Sequence, residues 1–377
     1  MTSQQHPLGN RKPQPNYALR RAVVGGGALV VILGLILAAC GGGSSSSPSG
    51  SPSPSESSSS APPPPDTWPL TGEVVPSGQS SATKHSVLIA KIDNTSDSDP
   101  QYGIGKADLV TEELVEGGIT RLAVFFYSQL PSKVGPIRSM RLTDIGIAKP
   151  IHARMVTSGA AWITLNGLKR AGVTYYDMNN HNVVRDDDGS HDYLHSVIAN
   201  IAGIAKDEKF KKATRPKDYM PWGDDDSFYG KKPAKKVTVR FSGSRTDDWV
   251  YNGSTYSLTN NYFASGDEYK PDTLVTCFVT TSIAPYKDPA GNPVPVSHFT
   301  GKGKAFIYHD GKVEAATWVK NGEGHTVKFR DKNGDPIQVP AGHVFLSLVP
   351  VNGGAVSPQA KLVAAPASPS ASASASE

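Results

Sequence analysis

One stretch does most to limit the fold: Glu116 to Arg141, EGGITRLAVFFYSQLPSKVGPIRSMR. Its apolar run, Leu122 to Tyr127, follows a Gly-Gly turn and precedes a loop punctuated by Pro and Gly. That pattern predicts a buried strand whose end delivers a polar loop. The loop carries Lys133, Arg138 and Arg141. Loops held at the end of a rigid sheet are where binding groups concentrate, which makes this the candidate site.

The N-terminus says where such a body is displayed. Arg11, Lys12, Arg20 and Arg21 precede eighteen uncharged, mostly apolar residues, 22–39, which end Leu37-Ala38-Ala39-Cys40. A charged start, an apolar core and a small-residue exit make residues 1–39 a secretory leader. The last four residues match the bacterial lipobox, so Cys40 is expected to take up a diacylglyceryl group and become the mature N-terminus. Eighteen apolar residues could nearly span a bilayer as a plain anchor, but four glycines and the Ala-Ala-Cys exit favour cleavage. Arg20-Arg21 leaves a twin-arginine export route open as well. Buried acyl chains at about 0.8 kcal/mol per CH2 would hold the protein on the extracytoplasmic face of the cell membrane.

Residues 40–66 then comprise the lipidated cysteine and a Ser/Pro linker. Its twenty-six residues after Cys40 reach about 25 to 30 Å. Residues 356–377 are another Ala/Ser/Pro segment with almost no large apolar side chain, so they cannot bury enough surface to offset the entropy of ordering. The chain has 38 Lys and Arg against 34 Asp and Glu, but four of the bases lie in the leader, which leaves the mature chain balanced at 34 to 34. Without a basic excess no nucleic-acid partner is expected. With Cys40 acylated, Cys277 in the apolar run 273–283 has no disulfide partner and is expected as a small residue of a buried strand.

Residues 67–233 alternate strand and helix signals. Trp68 to Gly72 reads as a lead-in, and Val87 to Ala90 as a strand that the Asp93-Asn94 turn ends. Residues 107–116, ADLVTEELVE, fit either a helix or a strand. Residues 141–149 look helical, Arg154 to Thr157 extended, Ala160 to Ala171 helical with Gly172 as its cap, and Val173 to Tyr176 extended. Leu194, Val197, Ile198, Ile201 and Ile204 recur at helical spacing, which predicts an amphipathic helix over His191 to Lys206. The alternation argues for an α/β domain with a mixed sheet. Residues 234–355 change character. KVTVRF at 236–241 alternates polar and apolar, Asp310-Gly311 and Asn333-Gly334 read as tight hairpin turns, and His343 to Val349 adds a strand. The second domain is therefore expected to be smaller, β-rich and antiparallel, and the class α+β.

Several groups could carry chemistry. Arg121, Arg138 and Arg141 could converge on an anion, because guanidinium forks match phosphate or carboxylate oxygens; they could equally pair with Glu112, Glu113, Glu116 or Asp144 and fix the loop. His181, Asp186, Asp187, Asp188, His191, Asp192 and His195 form a polar set, with His191 and His195 on one face if helical. No HExxH order appears, and adjacent aspartates in a loop are usually solvated, so no metal is assigned. Asp331, Asn333 and Asp335 imitate the start of a calcium loop, but Pro336 and Gly342 stand where Gly and Glu are needed. Ser139 and Ser158 lack a nucleophile elbow, and neither a P-loop nor a dinucleotide fingerprint is present, so no catalytic residue and no cofactor is assigned.

The sequence also resembles a family. Asp93-Asn94, Pro100-Gln101, Gly103, Ala107-Asp108, Glu116 to Arg121 and Gly135 to Arg141 are similar to the YerB-type bacterial lipoproteins, and Trp318, Phe329 to Gly334 and Gly342 to their C-terminal pattern. The resemblance spans residues 67–352 and implies an N-terminal domain of unknown function followed by a distinct C-terminal one. The family's His falls on His191, with different neighbours in Ser190-His191-Asp192-Tyr193-Leu194. Asp93, Asn94, Glu116, Arg121, Arg138, Arg141 and His191 are thus the candidate ligand-binding set. The expected role is binding of an anionic envelope glycan, a lipid headgroup or a partner protein in a cleft between domains. The alternative is an envelope-glycan hydrolase or transferase that uses the Arg138/Arg141 loop, with His191 or Glu116 for proton transfer.

Overall fold

The computed structural model describes residues 64–208 and 210–359; the leader, Cys40, the linker through residue 63 and the tail from 360 lie outside the described residues. Among the described residues no helix is long and apolar enough to cross a membrane.

Strands β1 (Leu88–Asp93), β2 (Leu109–Leu114) and β3 (Thr120–Phe126) are buried along almost their whole length. The ambiguous segment 107–116 is therefore a strand, paired antiparallel with β3 from Leu109↔Phe125 to Leu114↔Thr120. Helix α1 (Asp144–Ala148) leads to β4 (Arg154–Val156), which runs parallel to β1. Helix α2 (Trp162–Ala171) ends on Gly172 at φ 74°, a left-handed cap that glycine adopts without strain, before β5 (Tyr175–Tyr176).

The helix expected over His191 to Lys206 is not formed. Its apolar spacing is shared among a turn, strand β7 (Val197–Ala199) and a short helix α3 (Ile201–Asp207), with β6 (Val183–Arg185) as the antiparallel partner of β7. Two local preferences decide this. Val197 and Ile198 are β-branched, and Asn200 accepts a hydrogen bond from Gly203 N at 2.8 Å, which starts the helix at residue 201. Leu194, expected on a buried stripe, is exposed.

The second half supplies β8 (Lys236–Arg240), β9 (Thr246–Tyr251), β10 (Tyr256–Leu258), β11 (Thr273–Lys287), β12 (Pro293–His298), β13 (Gly301–His309), β14 (Lys312–Lys320), β15 (Lys328–Arg330), β16 (Pro336–Ile337), β17 (Val344–Pro350) and β18 (Ala355–Gln359). Asp310 and Gly311, at φ 49° and 65°, close the β13–β14 hairpin as the two-residue turn their types favour. Strand β17 departs from the antiparallel expectation for this half. It lies between β2 and β11 and runs parallel to both, so one mixed sheet passes through both halves in the order β16-β15-β14-β13-β11-β17-β2-β3-β1-β4-β5. The class is α+β, dominated by strands.

The sheet is covered on both faces. On one, Ile89, Phe125, Met155 and Leu346 pack with Ile145 and Ile147 of α1, Leu168 of α2, and Trp68 and Leu70 of the lead-in. On the other, Val110, Val124 and Phe345 meet a four-stranded antiparallel sheet, β10-β9-β8-β18, where the Trp249 and Phe345 ring centroids are 4.6 Å apart. Cys277 is fully buried in β11, as its apolar surroundings predict, and burial pushes its thiol pKa up.

Leu346 is fully buried in β17, opposite Thr111 on one side and Val275 on the other. Leu346→Ala should cost about 2 to 5 kcal/mol. Because the strand joins the halves, chemical denaturation followed by probes in each should show both midpoints falling together; a shift confined to one half would contradict the shared sheet.

Candidate functional site

Alternation along a strand places Ile89, Lys91 and Asp93 on one face of β1, with Arg121 of β3 and Glu113 of β2 beside them. The apolar layer thus gives way, near the strand ends, to a layer of charge. Lys91, wholly buried, lies 2.5 Å from Glu113 and 2.9 Å from Asp144. Burial disfavours its ammonium form, yet Asp144 and Glu113 outweigh that and hold its pKa above the usual lysine value.

Arg121 and Arg141 converge on one carboxylate. Arg121 Nη2 donates to Glu116 Oε1 at 2.9 Å, while Arg141 donates to Glu116 Oε2 through Nε at 2.8 Å and to Oε1 through Nη2. Backbone carbonyls take further donors: Arg121 Nη1 bonds Ser139 O at 2.9 Å and Arg141 Nη1 bonds Met140 O at 2.8 Å. Burial alone would raise the Glu116 pKa, but the Arg141 hydrogen bonds and both guanidinium charges hold it at about 2. Burial, with the Arg141 charge close by, lowers Arg121 to about 10. Arg138 Nε sits 2.7 Å from Asp93 Oδ2, its Nη1 donates to Leu194 O at 3.0 Å, and 25% of its side chain is exposed.

Five of the seven sequence-chosen residues therefore lie in this charged layer as two adjacent sets, Glu116 with Arg121 and Arg141, and Asp93 with Arg138. Asn94 is held to its side: its Nδ2 donates to Glu112 Oε1 at 3.0 Å and to Thr120 Oγ1 at 2.9 Å. His191 stands apart, with Nε2 3.3 Å from Ser98 O and its ring against Tyr102. It is His195 that approaches Asp93, its Nε2 3.8 Å from Oδ2 and its Nδ1 2.9 Å from Asp192 Oδ1.

Sequence reading missed Lys91 and its link to Asp144; a lone lysine inside VLIAKID was the available signal. It also missed the pair behind the sheet, where Arg245 Nε lies 3.4 Å from Glu112 and 2.7 Å from Asp247. There, burial and the Glu112 charge push the Asp247 carboxyl well above its usual range.

Of the His/Asp set, Asp186 and Asp188 hold Lys133 at 3.0 and 2.9 Å, and His181 lies 3.2 Å from Asp207. Among the described residues one trio of possible metal donors, Asp97, Asp192 and His195, lies within 4.8 Å of one another. Asp331 Oδ1 accepts from the Asn333 and Asp335 amides, which makes that segment a turn.

Concave surface lies elsewhere. A depression of about 640 Å³ is bordered by Gly72, Glu73, Asp218, Trp222, Asp224 and Lys328, from both halves of the chain. It shares Thr326 and Lys328 with a second, of about 290 Å³, lined also by Lys217, His325 and Arg330. Lys217 in turn belongs to a third, of about 490 Å³, with His85, His152, Arg154, Phe210 and Arg215. Among the described residues no carboxylate lines the second or the third.

The comparisons agree with this architecture. The profile of the N-terminal domain of a protein of unknown function, DUF3048, matches residues 70–216, and that of the DUF3048 C-terminal domain matches residues 237–346. The chain belongs to this family. It is 26% identical over 304 residues to the "Putative lipoprotein YerB" of Bacillus subtilis (strain 168), covering 75% of this chain and 86% of that protein. The crystal structure of the Bacillus subtilis YerB protein superposes with a TM-score of 0.63 at 20% identity, over 77% of this chain and 99% of that one, and so shares its fold.

Glu116→Gln would leave Arg121 and Arg141 sharing a neutral partner and should destabilise the protein by about 3 to 5 kcal/mol. The native Glu116 carboxylate has a depressed pKa, so its contribution is present above about pH 4.5 and is lost as pH falls toward about 2. Urea titrations across that range should show a steeper acid loss for the wild type than for Glu116→Gln; parallel curves would count against the assignment.

Proposed function

Starting from membership in this family, we propose that the chain is a lipoprotein anchored through Cys40 to the extracytoplasmic face of the cell membrane, whose body binds an anionic component of the envelope. The leader pattern and the name of the Bacillus relative support the anchor. Binding at the arginines that sequence singled out would require a ligand to displace internal partners, Glu116 from Arg121 and Arg141 and Asp93 from Arg138. Breaking buried pairs of this kind costs several kcal/mol, so those arginines act as framework.

The observation that carries the reading is the pair of adjoining depressions that share Lys217 and, among the described residues, have Lys, Arg and His but no Asp or Glu in their walls. Guanidinium and ammonium groups in such a concavity match phosphate or carboxylate oxygens. The alternative, a glycan hydrolase or transferase, would need Arg138, Arg141 and His191 to face one substrate. Arg141 is directed to Glu116, and His191 to Ser98 and Tyr102.

Labelled fatty acid should be incorporated into the wild type and lost in Cys40→Ala; equal labelling would remove the anchor. The purified protein should bind a polyglycerol phosphate in calorimetry at low salt and ignore neutral dextran. Lys217→Glu with Arg330→Glu should weaken that binding roughly tenfold or more. Indifference to polymer charge, or to the double substitution, would remove the binding site.

A further inference from the structure

The cationic depressions lie at the root of the linker. Arg215 Nη2 donates to Thr67 O at 3.0 Å and to Thr67 Oγ1 at 3.2 Å, and Thr67 lines the adjoining 640 Å³ depression. The described chain thus begins beside these cations, and on the anchored reading Cys40 is joined to it by a linker of about 25 to 30 Å. The segment leading to Arg215 adds Lys211 and Lys212, both exposed, and β15 brings Lys328 and Arg330 to the same surface. Among the described residues no carboxylate lies within ion-pairing distance of Lys211, Lys212, Lys217, Lys328 or Arg330; Asp66 and Asp218 face Arg215, and Glu208 faces Arg154. Glu73, Asp218 and Asp224, in the wall of the adjoining depression, bound the cationic face on one side.

We propose that this face rests on the anionic phospholipid surface of the membrane that carries the anchor, so that the body lies against the bilayer. The inference rests on the reading above and names its anionic component. Position favours a membrane over a soluble polymer. Attraction to a charged surface falls off within a Debye length of about 8 Å at physiological ionic strength, so only a face held close to the headgroups benefits from it. The root of the linker is that face, and the anchor presents it to headgroups at high effective concentration. Phe210, half-buried in the 490 Å³ depression, adds an apolar ring of the kind that interfacial contacts bury.

The test uses the full lipidated chain on vesicles of phosphatidylcholine, with or without phosphatidylglycerol, treated with a membrane-impermeant amine reagent and read by mass spectrometry. Flotation with neutral vesicles reports the anchor. On anionic vesicles the reactivity of Lys211, Lys212, Lys217 and Lys328 should fall about fivefold or more and return at high salt. Lys217→Glu with Arg330→Glu should abolish the protection of Lys211 and Lys212 while flotation persists. Flotation with equal reactivity on both vesicles would overturn this inference alone, whereas failure to float on neutral vesicles would overturn the anchored reading beneath it. Protection on neutral vesicles by added polyglycerol phosphate, without protection by phosphatidylglycerol, would assign the face to a polymer and overturn the membrane contact.

Discussion

Ionised side chains can be buried under a sheet only when their charges are matched, and this fold depends on such a match. Lys91, Arg121, Arg138 and Arg141 meet Asp93, Glu113, Glu116 and Asp144, four cations against four carboxylates, along the ends of β1, β2 and β3. The two partners of each pair come from different segments, so the pairs hold the strand ends, the Gly135–Arg141 loop and α1 in register. The site that sequence marked as a receptor for an external anion already contains its anions. A loop rich in arginine is, on its own, as compatible with cross-bracing as with recognition, and burial of the counter-ions decides between them.

The parts of the fold legible in the sequence were those with strong local chemistry. Leu122 to Phe126 reads as a strand because it is apolar throughout, the Asp310-Gly311 turn because its backbone needs positive φ, and α2 because Gly172 can end it. The segment 191–206 misled because its apolar spacing of three and four is shared among an exposed turn at Leu194, a strand buried on both sides at Val197–Ala199 and a short helix from Ile201. Nothing local says that β17 runs parallel between β2 and β11; its pairing with β2 joins residues more than two hundred positions apart in sequence.

The candidate site was half legible for a similar reason. Glu116, Arg121 and Arg141 lie close together in the chain, and their association could be foreseen. Lys91, Asp144 and Arg245 come from separate elements, and only folding brings them to their partners. The cationic face escaped notice because a balanced total conceals local segregation: Lys211 to Lys217 and Lys328 to Arg330 are unremarkable apart and adjoin only across the folded surface.

Strand β17 also has a consequence for how the molecule is made. Its residues, 344–350, follow in sequence both strands they pair with, yet they occupy the centre of the sheet. Until they arrive, β2 and β11 each present an open edge, and the earlier part of the chain is an unclosed half-product liable to cross-pairing or cleavage. Closure of the sheet is thereby timed by β17, and a chain cut short before that strand keeps both edges unpaired.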